Sequence, residues 1–201
     1  MATDPFWGNI FRKVSKEKEE LYGILKNVPI FQDMNRRELA KVEGILHQRD
    51  YGSDEPIVRE GELGVGMYIV VSGGVDIVQG DVDGNVLHLA TFGVGDFFGE
   101  QALLDESPRT ASAIARGPSS AVGFFRPDLL ELIESDPRLG LKIVMRLSQM
   151  ISVRLRHTNR LLKEARDAAK KQAEQQAAVA AANAEEDVPE AGDPAQGRTG
   201  S

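Results

Sequence analysis

The chain has 201 residues, 41% hydrophobic and 27% charged, with a formal net charge of −7. That suits one globular domain with extensions and offers no global basic face for nucleic acid or an anionic membrane. It contains no cysteine, which excludes a disulfide framework and a thiolate metal site.

The first predicted element is a helix over residues 4–27. Asp4 can cap it, Pro5 fits its first turn, and Phe6, Trp7, Ile10, Phe11 and Val14 form an apolar stripe at helical spacing. The charged start of the chain lacks the apolar core of a signal peptide, and no window of about 18 apolar residues predicts a membrane span. The expectation is a soluble cytoplasmic protein. The stretch "DMNRRELAKVEGILHQR" predicts a second helix, with Leu39, Val42, Ile45 and Leu46 on one side.

From residue 46 to 125 the texture is that of strands. The runs "PIVRE", "MYIVVS", "VDIVQ", "VLHLATF", "ASAIA" and "AVGFF" are separated by the turn signals "GELGVG", "SGG", "GDVDGN" and "FGVGD". The expected fold is mostly β with flanking helices: an antiparallel jelly roll or sandwich, with no room for the long crossover helices of a parallel sheet. Pro127 and Asp128 then open a short helix, "PDLLELIES", and Asp136 and Pro137 open a long one. Along it, Leu141, Val144, Ser148, Ile151, Leu155, Thr158, Leu162, Ala165 and Ala169 follow alternating steps of three and four, a heptad-like seam suited to packing or to pairing with a second copy. The expected organisation is a helical extension over 1–27, a jelly roll over 28–135, a long helix over 136–170 and a low-complexity tail over 171–201, disordered from about residue 180 onward.

The chemistry concentrates in "GDFFGEQALLDESPRTASAIA", residues 95–115. "GEQALL" is too short for an ordinary helix but can form one turn after Gly99, exposing backbone N–H groups that favour an anion. Small Ala102 permits close approach, and Arg109 adds a planar cationic fork suited to two phosphate oxygens. Glu100 would repel phosphate and suits a neutral donor such as a sugar hydroxyl. Phosphate beside hydroxyl points to a nucleotide. With no glycine-rich phosphate loop of the Walker type, and with His47, His88 and His157 far apart in sequence, a singly charged cyclic phosphodiester needing no metal fits best. The bland reading of Arg109 is a surface ion pair with Asp105 or Glu106.

The stretch "FGEQALLDESPRTASA" resembles the phosphate-binding cassette of the cyclic nucleotide-binding domain family. "REGELGVGMYIVVSGGVDIV" resembles the family's glycine-punctuated strand pair at Gly61, Glu62, Gly64, Tyr68, Ile69, Gly73 and Val75, and "NVPIFQDMNRRELAKV" its helical lead-in. The resemblance covers roughly residues 25–160. It implies a ligand-binding set of Phe98, Gly99, Glu100, Gln101, Ala102, Arg109 and Thr110: Glu100 on the ribose 2′-hydroxyl, Arg109 on the cyclic phosphate, and backbone groups of Gly99, Gln101 and Ala102 around it. Thr110 can hydrogen-bond a syn guanine, yet cyclic AMP, the commoner bacterial ligand, is preferred over cyclic GMP. The long helix would cap the base, with candidates from Ser148 to His157 that include Arg154 and Arg156. Asp54 and Gln101 depart from the family's usual glycine and apolar residue. No DNA-binding module follows the long helix, so the expected role is a regulatory sensor acting through a protein effector or a homodimer, with no catalytic cofactor, metal or nucleic acid. The alternatives are a ligand-free scaffold of the same fold and a jelly-roll enzyme.

Overall fold

The computed structural model describes residues 5–186, with side chains described from 16 to 176. The chain divides into two compact units, Met1–Ser152 and Val153–Ser201.

In the first unit, helix α1 runs Pro5–Asn27. The apolar stripe from Phe6 to Val14 lies outside the described side chains. Helix α2, Arg36–Glu43, begins at Asn35, whose side chain accepts from the N–H groups of Arg37 and Glu38, while the Glu38 carboxylate accepts from the Asn35 N–H. This reciprocal cap satisfies three donors that a helix start leaves unpaired. The helix is shorter than its sequence pattern. It stops at Gly44, and His47–Tyr51 forms strand β1 instead. The pairing of β1 with a neighbouring strand outweighs a weak helical periodicity there.

Among the described residues, eight strands make two four-stranded antiparallel sheets. Strands β2 (Pro56–Val58), β3 (Gly66–Ser72), β4 (Val75–Gly80), β5 (Val86–Phe92), β6 (Phe97–Phe98), β7 (Ser112–Ala115) and β8 (Ser119–Phe125) follow in order. One sheet has the order β1-β8-β3-β6 and the other β2-β7-β4-β5. The jelly roll expected from the short runs is present, and β5 coincides with "VLHLATF".

Helix α3, Arg126–Ser135, continues directly from β8. Helix α4 starts at Pro137 and continues to Glu186, well past the expected end at Lys170. Its Ala-rich later part forms helix through backbone bonding and high propensity, which need no apolar face.

The larger core joins Leu25, Val28, Phe31, Met34, Leu39 and Val42 to Met67, Ile69, Val122 and Phe124 of the first sheet. Helix α4 contributes Leu139, Ile143 and Leu147 to this core, each no more than 2% exposed. Burial of each such side chain stabilises by about 1.5–3 kcal/mol. This packing face is offset from the heptad-like seam, whose Leu141 is 61% exposed. A second core, built on Val70, Val75, Phe98 and Ala113, fills the space between the sheets.

Candidate functional site

Strand β6 ends at Phe98, and the chain then turns through Gly99 into a single 3-10 turn, Glu100–Leu103. Gly99 has φ of +75°, a conformation L side chains rarely adopt. A Cβ there would also strike the Arg109 guanidinium at Nη1, so the position requires glycine on both counts. Within the turn, the Ala102 N–H bends back to the Gly99 carbonyl at 3.2 Å, while the Gln101 carbonyl accepts from Leu104 and Asp105. Gln101 presents an exposed side chain; Ala102 and Leu103 are buried.

The returning loop is tied to the segment after β2. Gly61 N–H donates to the Arg109 carbonyl at 2.9 Å, Arg109 N–H to the Glu62 carbonyl at 2.8 Å, and Gly64 N–H to the Ser107 carbonyl at 3.2 Å. Gly64 is itself a close-approach position, since a Cβ on it would lie 2.7 Å from that of Ala102. The two glycine-marked stretches therefore hold one another, and Arg109 is fixed through its own backbone.

Its side chain is equally constrained. Nη2 donates to the Gly66 carbonyl at 2.6 Å and Nη1 to the Gly99 carbonyl at 3.3 Å. The guanidinium carbon lies 5.9 Å from the Tyr68 ring centre, within cation–π range. The Nε–H is buried with no hydrogen-bond partner. Burial lowers the Arg109 pKa, and the fields of Tyr68, Glu100 and Glu62 oppose that shift. Arginine nevertheless stays protonated in proteins, so the site keeps a cation whose solvation is incomplete. The surface ion-pair reading is corrected by this geometry: Glu106 pairs with Arg126 at 2.8 Å, Asp105 accepts from Ser107, and Arg109 reaches inward to carbonyls.

Glu100 is only 3% exposed. A buried carboxylate is costly unless compensated, and its field acts on Arg109. The turn thus brings the carboxylate and the guanidinium that the sequence singles out within each other's field. Thr110 is exposed, and its carbonyl accepts from Gln79 at 2.8 Å. Phe98 serves packing: it stacks on Tyr68 at 5.5 Å and on Phe92 at 6.1 Å, and is 7% exposed. Sequence reasoning matched Tyr68 and Gly64 to a family pattern without seeing their role. Gly66 and Gln79 carry no signal at all, because a carbonyl acceptor and a strand-end amide leave no mark in spacing. The capping candidates from Ser148 to His157 straddle the boundary between the two units.

An anion fits these residues. A half-buried arginine with an unpaired N–H, beside a short turn containing a small residue, is a cradle for a single negative charge. No group of three or more His, Cys, Asp or Glu among the described residues has the arrangement of a metal site.

Comparison with known proteins adds four findings. Residues 48–136 match a family described as "Cyclic nucleotide-binding domain". The chain is similar to a cyclic AMP receptor protein of Thermus thermophilus, 34% identical over 135 residues, which are 67% of this chain and 61% of that protein. It is also 34% identical over 105 residues to the cGMP-dependent protein kinase egl-4 of Caenorhabditis elegans, across 51% of this chain but 13% of the kinase. The chain therefore spans less than two thirds of either relative's length. Among solved structures, a cyclic nucleotide-binding domain from Methylobacillus flagellatus matches with a TM-score of 0.64 and 26% identity, covering 74% of this chain and 84% of that one.

Proposed function

Because residues 48–136 place this chain in the cyclic nucleotide-binding domain family, we propose that it is a regulatory module that binds a 3′,5′-cyclic nucleotide in the cradle of Glu100, Ala102 and Arg109. The observation that carries this reading is the state of Arg109. Its guanidinium is held on the Gly66 and Gly99 carbonyls while its Nε–H lacks a partner. Bringing a monoanionic phosphodiester to this group supplies the acceptor that burial has removed. Glu100 would take the ribose 2′-hydroxyl, since a carboxylate accepts strongly from a neutral donor and repels phosphate.

Cyclic AMP is the ligand of this reading. A relative that matches over 135 residues is named for cyclic AMP, and one that matches over 105 residues is named for cyclic GMP. The site binds and orients and carries out no reaction; its output is a change in helix α4 or in a protein effector. Ligand that favours one arrangement shifts the population toward it by its differential affinity.

Titration calorimetry of the full chain with cyclic AMP and cyclic GMP, beside Arg109→Ala, tests the reading. Loss of this charge-assisted contact should weaken binding by about 2 kcal/mol, about 30-fold, with an unchanged melting profile. Equal affinity in both proteins would remove Arg109 from the site.

A further inference from the structure

Helix α4 carries a charge pattern that ligand binding leaves unused. Between Val153 and Lys171, seven arginines and lysines stand against two carboxylates, Glu164 and Asp167, in a chain whose net charge is −7. Every side chain of this stretch is exposed. A basic segment in an acidic chain suits an anionic partner.

The cations are not spread evenly around the helix. Leu155, Thr158, Leu162, Ala165 and Ala169 form the narrow apolar stripe of the second unit. The residues that directly follow them are Arg156, Asn159, Lys163, Arg166 and Lys170: four cations, one amide and no carboxylate. At 3.6 residues per turn these five lie along one shoulder of the stripe, over about 21 Å. Lys170 lies 3.8 Å from Glu174, but both side chains are exposed, so the pair is weak and readily exchanged. The opposite shoulder holds the residues that precede the stripe: Arg154, His157, Leu161, Glu164 and Ala168. Its one carboxylate, Glu164, lies 3.7 Å from Arg160.

A second copy of the chain matches this edge poorly. Parallel pairing sets each basic shoulder against the opposite shoulder of the other helix, where Glu164 is the one carboxylate. Antiparallel pairing sets cation against cation. Ion pairs along the edges of a paired-helix stripe decide which partner is chosen. A lipid surface matches poorly as well. The stripe has two large apolar side chains, Leu155 and Leu162, whereas a helix lying in a membrane surface buries a broad apolar face. Nucleic acid would take up the cations and leave both leucines in water.

We propose that this face docks an amphipathic helix of an effector protein, one whose own apolar stripe is edged by aspartate and glutamate. The leucines supply contact area, and the basic shoulder supplies the choice of partner.

The experiment is fluorescence anisotropy of the full chain with labelled synthetic helices of about three heptads. One has a leucine stripe edged by glutamate, a second the same stripe edged by lysine, and a third the acidic composition in scrambled order. The same probes are applied to the Arg156→Glu/Lys163→Glu/Arg166→Glu/Lys170→Glu variant and to Leu155→Asn/Leu162→Asn, each checked for intact helicity and melting. The acidic helix should bind wild type about tenfold or more tighter than the basic one. The charge-reversed variant should invert that order, and the leucine variant should lose both. Equal binding of the ordered and scrambled acidic probes would overturn the proposal, since charge attraction alone would then suffice. Equal binding of the acidic and basic helices would overturn it too, as would phosphatidylserine vesicles or duplex DNA binding as tightly as the acidic helix. A chain that sediments as a dimer and takes up neither helix would assign the face to a second copy and overturn it. No nucleotide enters these measurements, so their failure would leave the cyclic nucleotide reading untouched.

Discussion

At the scale of single residues, the site is a problem in burial. Arg109 and Glu100 are polar groups with little access to water, and Arg109 is held by carbonyl contacts that other side chains would not reproduce. Lysine at position 109 could not span the Gly66 and Gly99 carbonyls with one planar fork. Tyr68, whose phenol pKa burial raises, stays neutral near pH 7 and offers its ring face without cancelling the guanidinium charge. Glu100 has the opposite task, and a substitution that keeps its shape isolates that task. Glu100→Gln should weaken binding of cyclic AMP more than binding of its 2′-deoxy analogue, lowering the preference for the hydroxyl-bearing ligand about fivefold. Calorimetry with the two ligands measures this. Equal losses would detach Glu100 from the ribose. Asp54, with φ of 61°, is the one non-glycine residue with positive φ among those described. It occupies a turn away from the cassette, and aspartate tolerates this conformation better than most residues do.

At the scale of elements, helix α4 is fastened to the helical lead-in by charge as well as by its buried face. Lys142 pairs with Glu38 at 2.8 Å, Lys41 with Asp136 at 2.7 Å, and Arg146 with Asp33. The Lys142 hydrogen bond is the main reason that the Glu38 carboxyl sits below its ordinary value of 4.5. A carboxyl with a lowered folded-state pKa stabilises the protein above the unfolded value and loses that contribution as pH falls through the folded one. Glu38→Gln should therefore lower stability at pH 7 by up to about 1 kcal/mol, the range of a partly exposed pair. The gap to wild type should close as the pH falls from about 5 to about 3. Urea denaturation across that range measures it, and a gap independent of pH would deny the pair its role. These contacts also mark what the sequence made legible. The β runs, the turns between them and the "PDLLELIES" helix followed from alternation, glycine and proline. Strand β1 did not, because "HQRDY" has no alternation: four of its five residues are exposed and only Tyr51 is buried. The two-residue β6 is too short to leave a pattern. The buried face of α4 was also missed, because Leu139, Ile143 and Leu147 repeat every four residues beside a heptad-like series that looked equally plausible. In the cassette, Glu100 and Arg109 were legible as chemistry, whereas the Gly66 carbonyl and the Tyr68 ring that hold Arg109 come from a strand about 40 residues upstream, which only the fold brings near.

At the scale of the whole molecule, the question is what a ligand-binding unit acts upon. The second unit begins at Val153, and its described side chains include Val153, Leu155, Leu161 and Leu162, exposed at 57%, 58%, 49% and 48%. Leu155 and Leu162 are seven residues apart and share the seam with Thr158, Ala165 and Ala169. A seam of this spacing is what two helices bury when they wind together. Its small and polar members make the pairing weak, which leaves room for a ligand to shift it by a coupling of about 1–3 kcal/mol. The expected state of the full chain is thus a homodimer in equilibrium with monomer, the balance moving with cyclic nucleotide. Removing the residues after Arg156 takes away Thr158, Leu162, Ala165 and Ala169 of the seam and leaves every residue of the first unit in place. Sedimentation velocity of the full and shortened chains, with and without cyclic AMP, separates the outcomes. Dimer in the full chain alone, with a ligand-dependent dissociation constant, supports output through self-association. Monomer in all four samples would remove it and leave an exposed helix rich in arginine and lysine, whose partner must be another protein.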